Sequence, residues 1–417
     1  MEELAILGGN PVISESFAPY QSLGDAEIKA VSDVAKSGCL SGFYGSWGDQ
    51  FLGGPKIIEF EKAWAERFGV RYAVTVNSAA SGLCAAMGAL SITPGDEVIV
   101  PPYTMSASVV APLMYGGIPV FVDIEPDTFC LDPDLVRKAI TPRTKAIMAV
   151  NLFGHPARLA DLRALGQEFG IKVVEDNAQG PLAAENGKWA GTIGDIGVFS
   201  LNYHKHIHTG EGGVCVTNCP DLAFRLQMIR NHGENIVEPA KVSDITNLVG
   251  FNYRMSELSA AVGIEQLKSI DTHVGRREKI AHQLTQKLSD FSGLTPPVTR
   301  FGCRHVYYTW SMKFDAATVG VSRDKFCAAL AAEGVPHGIG YVRPLYLLPL
   351  FQQRRAFGDY PFNLTERQYY KGLCPVAERM YEAELLLFEV CAYDLGDSEI
   401  SSIQSAFKKV YGNRRRL

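Results

Sequence analysis

A chain of 417 residues that is 47% hydrophobic and 20% charged carries ample material for a large core, which excludes intrinsic disorder and predicts one large domain plus a smaller one. Its formal net charge of -5 makes no electrostatic case for nucleic acid, and the short basic run Arg414, Arg415, Arg416 reads as a solvated tail. No apolar stretch approaches the ~20 residues that span a bilayer, and the opening MEELAILGGNP is acidic where a secretory leader is basic, so no membrane partner is expected. Nine cysteines, an odd count scattered through apparent strands and helices, suit a reducing, cytoplasmic compartment and do not form a disulfide framework.

Residues 1–25 show no strong periodicity and read as an N-terminal arm. A helix is predicted from Asp25 to Lys36, followed by the glycine- and aromatic-rich loop SGCLSGFYGSWGDQFLGGP. Loops of that length inside a compact domain are usually functional or disordered, and Tyr44 and Trp47 point this one at a substrate or a second subunit. Ile57, Phe60, Trp64 and Phe68 then recur at helical spacing and mark one buried stripe.

From Tyr72 the strands YAVTV, DEVIVPPYT, IPVFVDI, TKAIMAVNLFG and IKVVEDNA alternate with helices, among them DPDLVRKAI and ARLADLRALGQEFG. Continuous apolar strands joined by amphipathic helices predict an α/β fold with a mostly parallel sheet covered on both faces. In such sheets ligands gather at the carboxyl ends of the strands. SELSAAVGIEQLKSID and REKIAHQLTQKLS extend the helical pattern, and the domain change is placed near residue 275. The strand TWSMKFD and the helices SRDKFCAALAAEG and DSEISSIQSAFKKVY predict a smaller α+β domain beyond it. The expected organisation is an arm at 1–25, a large domain at 26–275 and a small domain at 276–417.

Within this frame one lysine stands out. Lys205 sits in SLNYHKHIHTGEGG, a short loop between the strand-like runs IGVFSL and GGVCVTN, among aromatics and histidines. An amine that loses solvation there titrates lower, becomes a nucleophile and suits Schiff-base chemistry with an aldehyde cofactor, whereas the bland reading is a surface loop with a chance lysine. Two other strand ends converge on it. Small residues from Asn77 to Gly82 form a candidate phosphate cradle at a helix start, although small residues also serve tight strand–helix packing. Asp176, closing IKVVED, is an acid that is costly to desolvate unless paired; a protonated pyridine nitrogen suits it, and helix capping is the plainer role. Ser200 offers a hydroxyl to a phosphate. Cys215 and Cys219 lie near His204, His206 and His208, but Cys-x-x-x-Cys running through a strand end is a poor match to a zinc site, so no metal is expected.

In combination, NSAASGL, VPPYT, VNLFGHPARL, VVEDNAQ, GTIGDIGVFS, the spacing of Lys205 to GEGG, RNHG, GFNYRMSELSAAVGIEQL and CPVAERM resemble the DegT/DnrJ/StrS sugar aminotransferases. The resemblance runs from the helix near residue 56 to about Pro375. It implies a fold-type I enzyme using pyridoxal 5'-phosphate, with a large domain around a mostly parallel seven-stranded sheet and a smaller C-terminal α+β domain. It implies that Lys205 joins covalently to the cofactor's aldehyde and then shuttles a proton, while Asp176 keeps the ring nitrogen protonated. Gln179 would contact the ring hydroxyl, Ala178 would pack near the ring, and Ser200 with the backbone of Ala79 and Ala80 would bind the phosphate. Asn252, in GFNYR, would reach the phosphate of a neighbouring subunit's cofactor, which implies a homodimer with shared active sites. The implied reaction moves an amino group from glutamate or glutamine to a keto-sugar, nucleotide-linked or not, or to a keto-cyclitol.

Two positions depart from the family pattern. Ala80 stands where many members have threonine, which removes a hydroxyl contact to phosphate. Met105 stands where many have an aromatic over the ring; its thioether can cover a ring, and Tyr103 is a substitute. Members that eliminate a sugar hydroxyl carry histidine in place of the lysine, and the spacing from Ser200 to Gly210 fits lysine only. Amino transfer is therefore expected ahead of carbon–oxygen elimination or a regulator that binds cofactor without turnover. Candidate acceptor contacts are Tyr44, Trp47, Tyr341 and Tyr346, together with His155 and His305, either of which reads equally well as a core histidine.

Overall fold

Runs of β-branched residues broken by glycine, proline and capping side chains give strand and helix in alternation from Tyr72 onward. The computed structural model describes residues 2–390 and 392–417. Its strands are β1 (Tyr72–Val76), β2 (Glu97–Val100), β3 (Ile118–Phe121), β4 (Thr144–Val150), β5 (Lys172–Asp176), β6 (Ala184–Glu185), β7 (Lys188–Trp189), β8 (Ile196–Ser200) and β9 (Gly213–Thr217). Further along come β10 (Leu294–Thr295), β11 (Cys303–Arg304), β12 (Trp310–Phe314), β13 (Gly338–Ile339) and β14 (Leu385–Phe388).

Seven strands form one sheet in the order β1-β9-β8-β5-β4-β2-β3. The run from β8 to β3 is parallel throughout, and β9 is antiparallel to both of its neighbours. The strand pattern predicts the mostly parallel sheet, and the family resemblance implies its seven strands. Every residue of β2, β3, β8 and β9 is buried, as a sheet sandwiched between helices requires.

The helix Ala79–Ala89 follows β1 directly and begins at the carboxyl edge of the parallel strands. Ser78 caps it by accepting the N–H of Ser81 at 3.1 Å. Its close seat on the sheet depends on Gly82, where a Cβ would lie 2.8 Å from Val198 Cγ1 and 2.9 Å from Cys215 Sγ. A side chain there would lift the helix start off the strand ends.

Buried side chains form two cores. The first wraps the large sheet and includes Phe60, Trp64, Phe68, Ile99, Ile147 and Phe199. The second joins Leu284, Trp310, Met312, Phe326, Leu386 and Phe407 around the antiparallel sheet β10-β12-β14-β13. One helix, Ile270–Leu288, feeds both: Ile270 and Val274 belong to the first core, and Ile280, Leu284 and Leu288 to the second. Between Leu345 and Met380 the chain returns to the first core, burying Tyr346, Phe351, Phe362 and Tyr369.

Residues 4–17 dock onto the second core. Leu4 is fully buried in it, and the backbone N–H groups of Ala5 and Val12 donate to the two carboxylate oxygens of Glu333 at 2.9 and 3.0 Å. Glu333 is itself fully buried and also takes the ammonium of Lys409 at 2.9 Å. Among the described residues no helix is long and apolar enough to cross a membrane.

Candidate active site

The loop between β8 and β9 brings Lys205 to the carboxyl edge of the sheet. Its neck is closed by backbone bonds, Leu201 N–H to Gly212 carbonyl and Thr209 N–H to Leu201 carbonyl, both 2.9 Å. Gly213, which opens β9, must be glycine here because a Cβ would lie 2.8 Å from the backbone nitrogen of Ala79. The GEGG run therefore lets the lysine loop lie directly against the start of the helix Ala79–Ala89. At the loop's tip the Lys205 N–H donates to the Asn202 carbonyl at 2.9 Å, and the Arg277 guanidinium donates to the Lys205 carbonyl at 2.8 Å.

Lys205 lines two adjoining cavities. One, of about 250 Å³, is bounded by Ala79, Ala80, Met105, Asp176, Ala178, Gln179 and Ser200 together with Lys205. The other, of about 380 Å³, is bounded by Tyr20 and Ser22 of the arm, by Arg277, Tyr308 and Glu389, and by the histidines of the lysine loop. His204 borders both cavities, whereas His206 is buried and donates from Nε2 to the Val306 carbonyl at 2.9 Å.

Two consecutive acids end β5, and the strand's alternation separates their duties. Glu175 faces away from the cavity and accepts N–H groups of Ile193 and Gly194 at 2.7 and 2.6 Å, which satisfies a buried carboxylate structurally. Asp176 faces the first cavity. It is only 5% exposed, and its oxygens accept the Ser108 hydroxyl at 2.6 Å and the Ala178 N–H at 3.1 Å. Burial pushes its carboxyl above the usual carboxylate range, while Ser108, Ala178 and the charge of Lys205 pull it back.

The remaining walls are set from neighbouring strand ends. Gln179 is fixed at both ends of its amide: Oε1 accepts the Phe153 N–H at 2.7 Å, and Nε2 donates to the Tyr341 hydroxyl at 3.0 Å. The N–H groups of Ala79 and Ala80 belong to a first helical turn, which has no carbonyl four residues back to receive them. Met105 lines the cavity and is half exposed. Tyr103 is fully buried behind it with its hydroxyl donated to the Gly340 carbonyl at 2.7 Å. Of the two residues expected to cover a ring, the thioether is the one on the wall.

Residues 25–386 match the DegT/DnrJ/EryC1/StrS aminotransferase family. The chain belongs to this family. It is 36% identical over 294 residues to GDP-perosamine synthase of Caulobacter vibrioides, spanning 70% of this chain and 78% of that protein. It is 33% identical over 429 residues to L-glutamine:2-deoxy-scyllo-inosose aminotransferase of Streptomyces kanamyceticus, spanning 99% of this chain and 97% of that one. Among solved structures, DesI in the presence of its TDP-sugar product superposes with a TM-score of 0.82 at 29% identity, covering 99% of this chain and 97% of that one. This chain is accordingly an aminotransferase on a fold-type I frame.

Several expected acceptor contacts of this aminotransferase lie elsewhere. His155 and His305 are buried core histidines: His155 Nε2 accepts the Arg300 N–H at 3.1 Å, His305 Nδ1 accepts the Tyr307 N–H at 3.1 Å, and the two rings meet edge to face. Tyr346 is fully buried against Phe121, with its hydroxyl donated to Glu378. The polar ends of all three are used inside the core, which corrects the expectation that they meet a substrate. Tyr341 does reach the site, through Gln179. Tyr44 and Trp47 are exposed and line neither cavity; their loop is held from behind by Asn231, whose amide donates to the carbonyls of Tyr44 and Phe51, both at 2.9 Å. Asn252 is also exposed and outside both cavities, its side-chain oxygen taken by Arg254 at 2.9 Å.

Three residues at the site carried no sequence signal. Ser108 lies in a short helix, Ala107–Val110, after VPPYTMS; Arg277 is one of many charges in REKIAHQLTQKLS; and Tyr308 stands directly ahead of TWSMKFD. Only the fold brings them to Asp176 and Lys205. Among the described residues no cluster of three or more His, Cys, Asp or Glu side chains is placed to hold a metal ion.

Proposed function

We propose that this aminotransferase holds pyridoxal 5'-phosphate in the first cavity and moves an amino group from glutamate or glutamine to a keto-sugar or keto-cyclitol. The observation that carries this reading is that a lysine amine and a buried carboxylate from different strand ends border one cavity, beside a helix start and a hydroxyl suited to an anion. The donor set fits the cofactor. Asp176 is a carboxylate that burial disfavours in its charged form, so a protonated ring nitrogen would suit it. Met105, Ala107 and Ala178 supply apolar surface for a flat ring, and Ser200 with the first-turn N–H groups of Ala79 and Ala80 supplies donors for a phosphate.

When bound, pyridoxal phosphate supplies an aldehyde that condenses with amines and a ring that accepts electrons from the reacting carbon. The chain's own residues do the rest. Lys205 Nζ would anchor the group covalently and, when free, would take up a proton from the substrate and return it. Asp176, held by Ser108, would face the charged ring nitrogen, and Gln179 would lie at the ring's edge. Asn252, Tyr44 and Trp47, exposed on one chain, are assigned to a second copy, so the working unit is a homodimer in which each subunit completes the other's site.

The acceptor class follows the relatives. One is described as a GDP-perosamine synthase and another as acting on a cyclitol with glutamine. The second cavity, bordered by Tyr20, Tyr203 and Tyr308 with polar groups between them, suits a polyhydroxylated ring. Purified protein loaded with pyridoxal phosphate should lose its yellow absorbance on addition of glutamate or glutamine and recover it with a keto-sugar or keto-cyclitol. Lys205→Ala should do neither. Unchanged colour with both donors would overturn the proposal.

A further inference from the structure

Tyr308 meets the reactive amine from a part of the chain that no motif marks. Lys205 Nζ lies 4.3 Å from the centre of its ring. Its backbone is held on two sides. The backbone N–H groups of Val306 and Tyr308 donate to the carbonyls of Gly154 and Phe153 at 3.0 and 2.8 Å, tying the segment to the end of β4. The Val306 carbonyl accepts His206 Nε2 at 2.9 Å, tying it to the lysine loop as well. The rings of His204 and His206 lean on the same tyrosine, with centroids 6.0 and 6.3 Å away.

An aromatic face attracts an ammonium but has little hold on a neutral amine. We infer that Tyr308 is the positioning residue of Lys205: its ring, on the wall of the second cavity, holds Nζ beside the first and stabilises the amine in the state that has just taken up a proton. The only bond that forms and breaks at the lysine in this step is one N–H bond, made when the proton arrives and broken when it is returned. Other charges act on the same amine. Asp176 and Glu211 line the first cavity with it, and Arg277 lines the second. Glu389 and the imidazoles of His204, His206 and His208 border the second cavity. What Tyr308 adds is contact at a fixed face rather than another charge.

This inference rests on Lys205 being the amine that moves the proton, but its test needs no turnover. Cofactor-free wild type, Tyr308→Phe and Tyr308→Met are exposed briefly to acetic anhydride across a pH series, and the labelled fraction of the Lys205 peptide is read by mass spectrometry against that of exposed Lys62. Only the unprotonated amine reacts. Below the midpoint, Tyr308→Met should label Lys205 about fivefold faster than wild type, while Tyr308→Phe, which keeps the ring face, stays within about twofold. Tyr308→Leu serves as a second ringless variant should Tyr308→Met fail to give a native circular dichroism spectrum. Identical midpoints in wild type and the ringless variant would sink the inference, as would a Tyr308→Phe midpoint that moves as far as the ringless one, since the hydroxyl would then be the agent. Loss of the donor-induced colour change in wild type would instead count against the proposed function and leave the labelling result standing.

Discussion

Ser108→Ala isolates the one side-chain hydroxyl that serves Asp176. In the native fold this hydroxyl is fully buried and donates to the carboxylate at 2.6 Å. A hydrogen bond to a charged acceptor contributes about 1.5–3 kcal/mol, against about 1 kcal/mol for a neutral pair. Burial already holds the Asp176 carboxyl above its ordinary range, and removing the hydroxyl pushes it further up. An acid whose native pKa lies above its unfolded value binds more protons folded than unfolded. Stability then falls as pH rises from the ordinary aspartate value of about 3.9 through the native one. The cofactor-free variant should therefore be less stable than wild type by about 2 kcal/mol at pH 8, and by less at pH 4.5, where more of a raised carboxyl is protonated. Urea unfolding of both proteins at the two pH values measures the difference directly. A penalty of the same size at both, or none at either, would refute the argument that Ser108 supports a charged carboxylate.

Two further outcomes follow from the packing. Burial holds the His155 imidazole down at about 4, so the unfolded chain binds more protons between that value and the ordinary 6.5, and wild type loses stability as pH falls through this window. Thermal melts of His155→Gln should show a shallower acid slope, by about 2 kcal/mol over the window; an unchanged slope would mean the imidazole is not protonated on unfolding. Gly82→Ala places a methyl 2.8 Å from Val198 and should cost about 1–3 kcal/mol by overpacking. Because the same helix begins at Ala79, the variant should also need more pyridoxal phosphate to reach half saturation in a fluorescence titration, and an unaltered titration would separate the helix start from phosphate binding.

The legible parts of this molecule were those written in consecutive residues. Strand–helix alternation from Tyr72 gave the parallel sheet, and the apolar run ahead of Asp176 placed that acid at a strand end where the fold indeed puts it beside Lys205. The match of residues 25–386 to one family confirmed the resemblance carried by the motifs. What stayed hidden depended on contacts between distant segments. His155 and Asp176 both follow apolar strands, yet Asp176 faces a cavity and His155 turns into the core, because the chain after β4 bends through Phe153 with a positive φ of 57°. Tyr341 and Tyr346 lie five residues apart in one tract, and only the first touches a cavity residue. Sequence spacing does not record which way a loop tyrosine turns.

The seat of the first residues sets an order on assembly. Ala5 emerges from the ribosome long before the carboxylate of Glu333, 328 positions later, that receives it, and Asn10 waits 399 positions for Lys409. Neither pairing can form before its later partner has left the ribosome. The leading segment therefore stays undocked through most of the synthesis of these residues, and the second core closes around Leu4 only after the helix Asp397–Asn413 has been made.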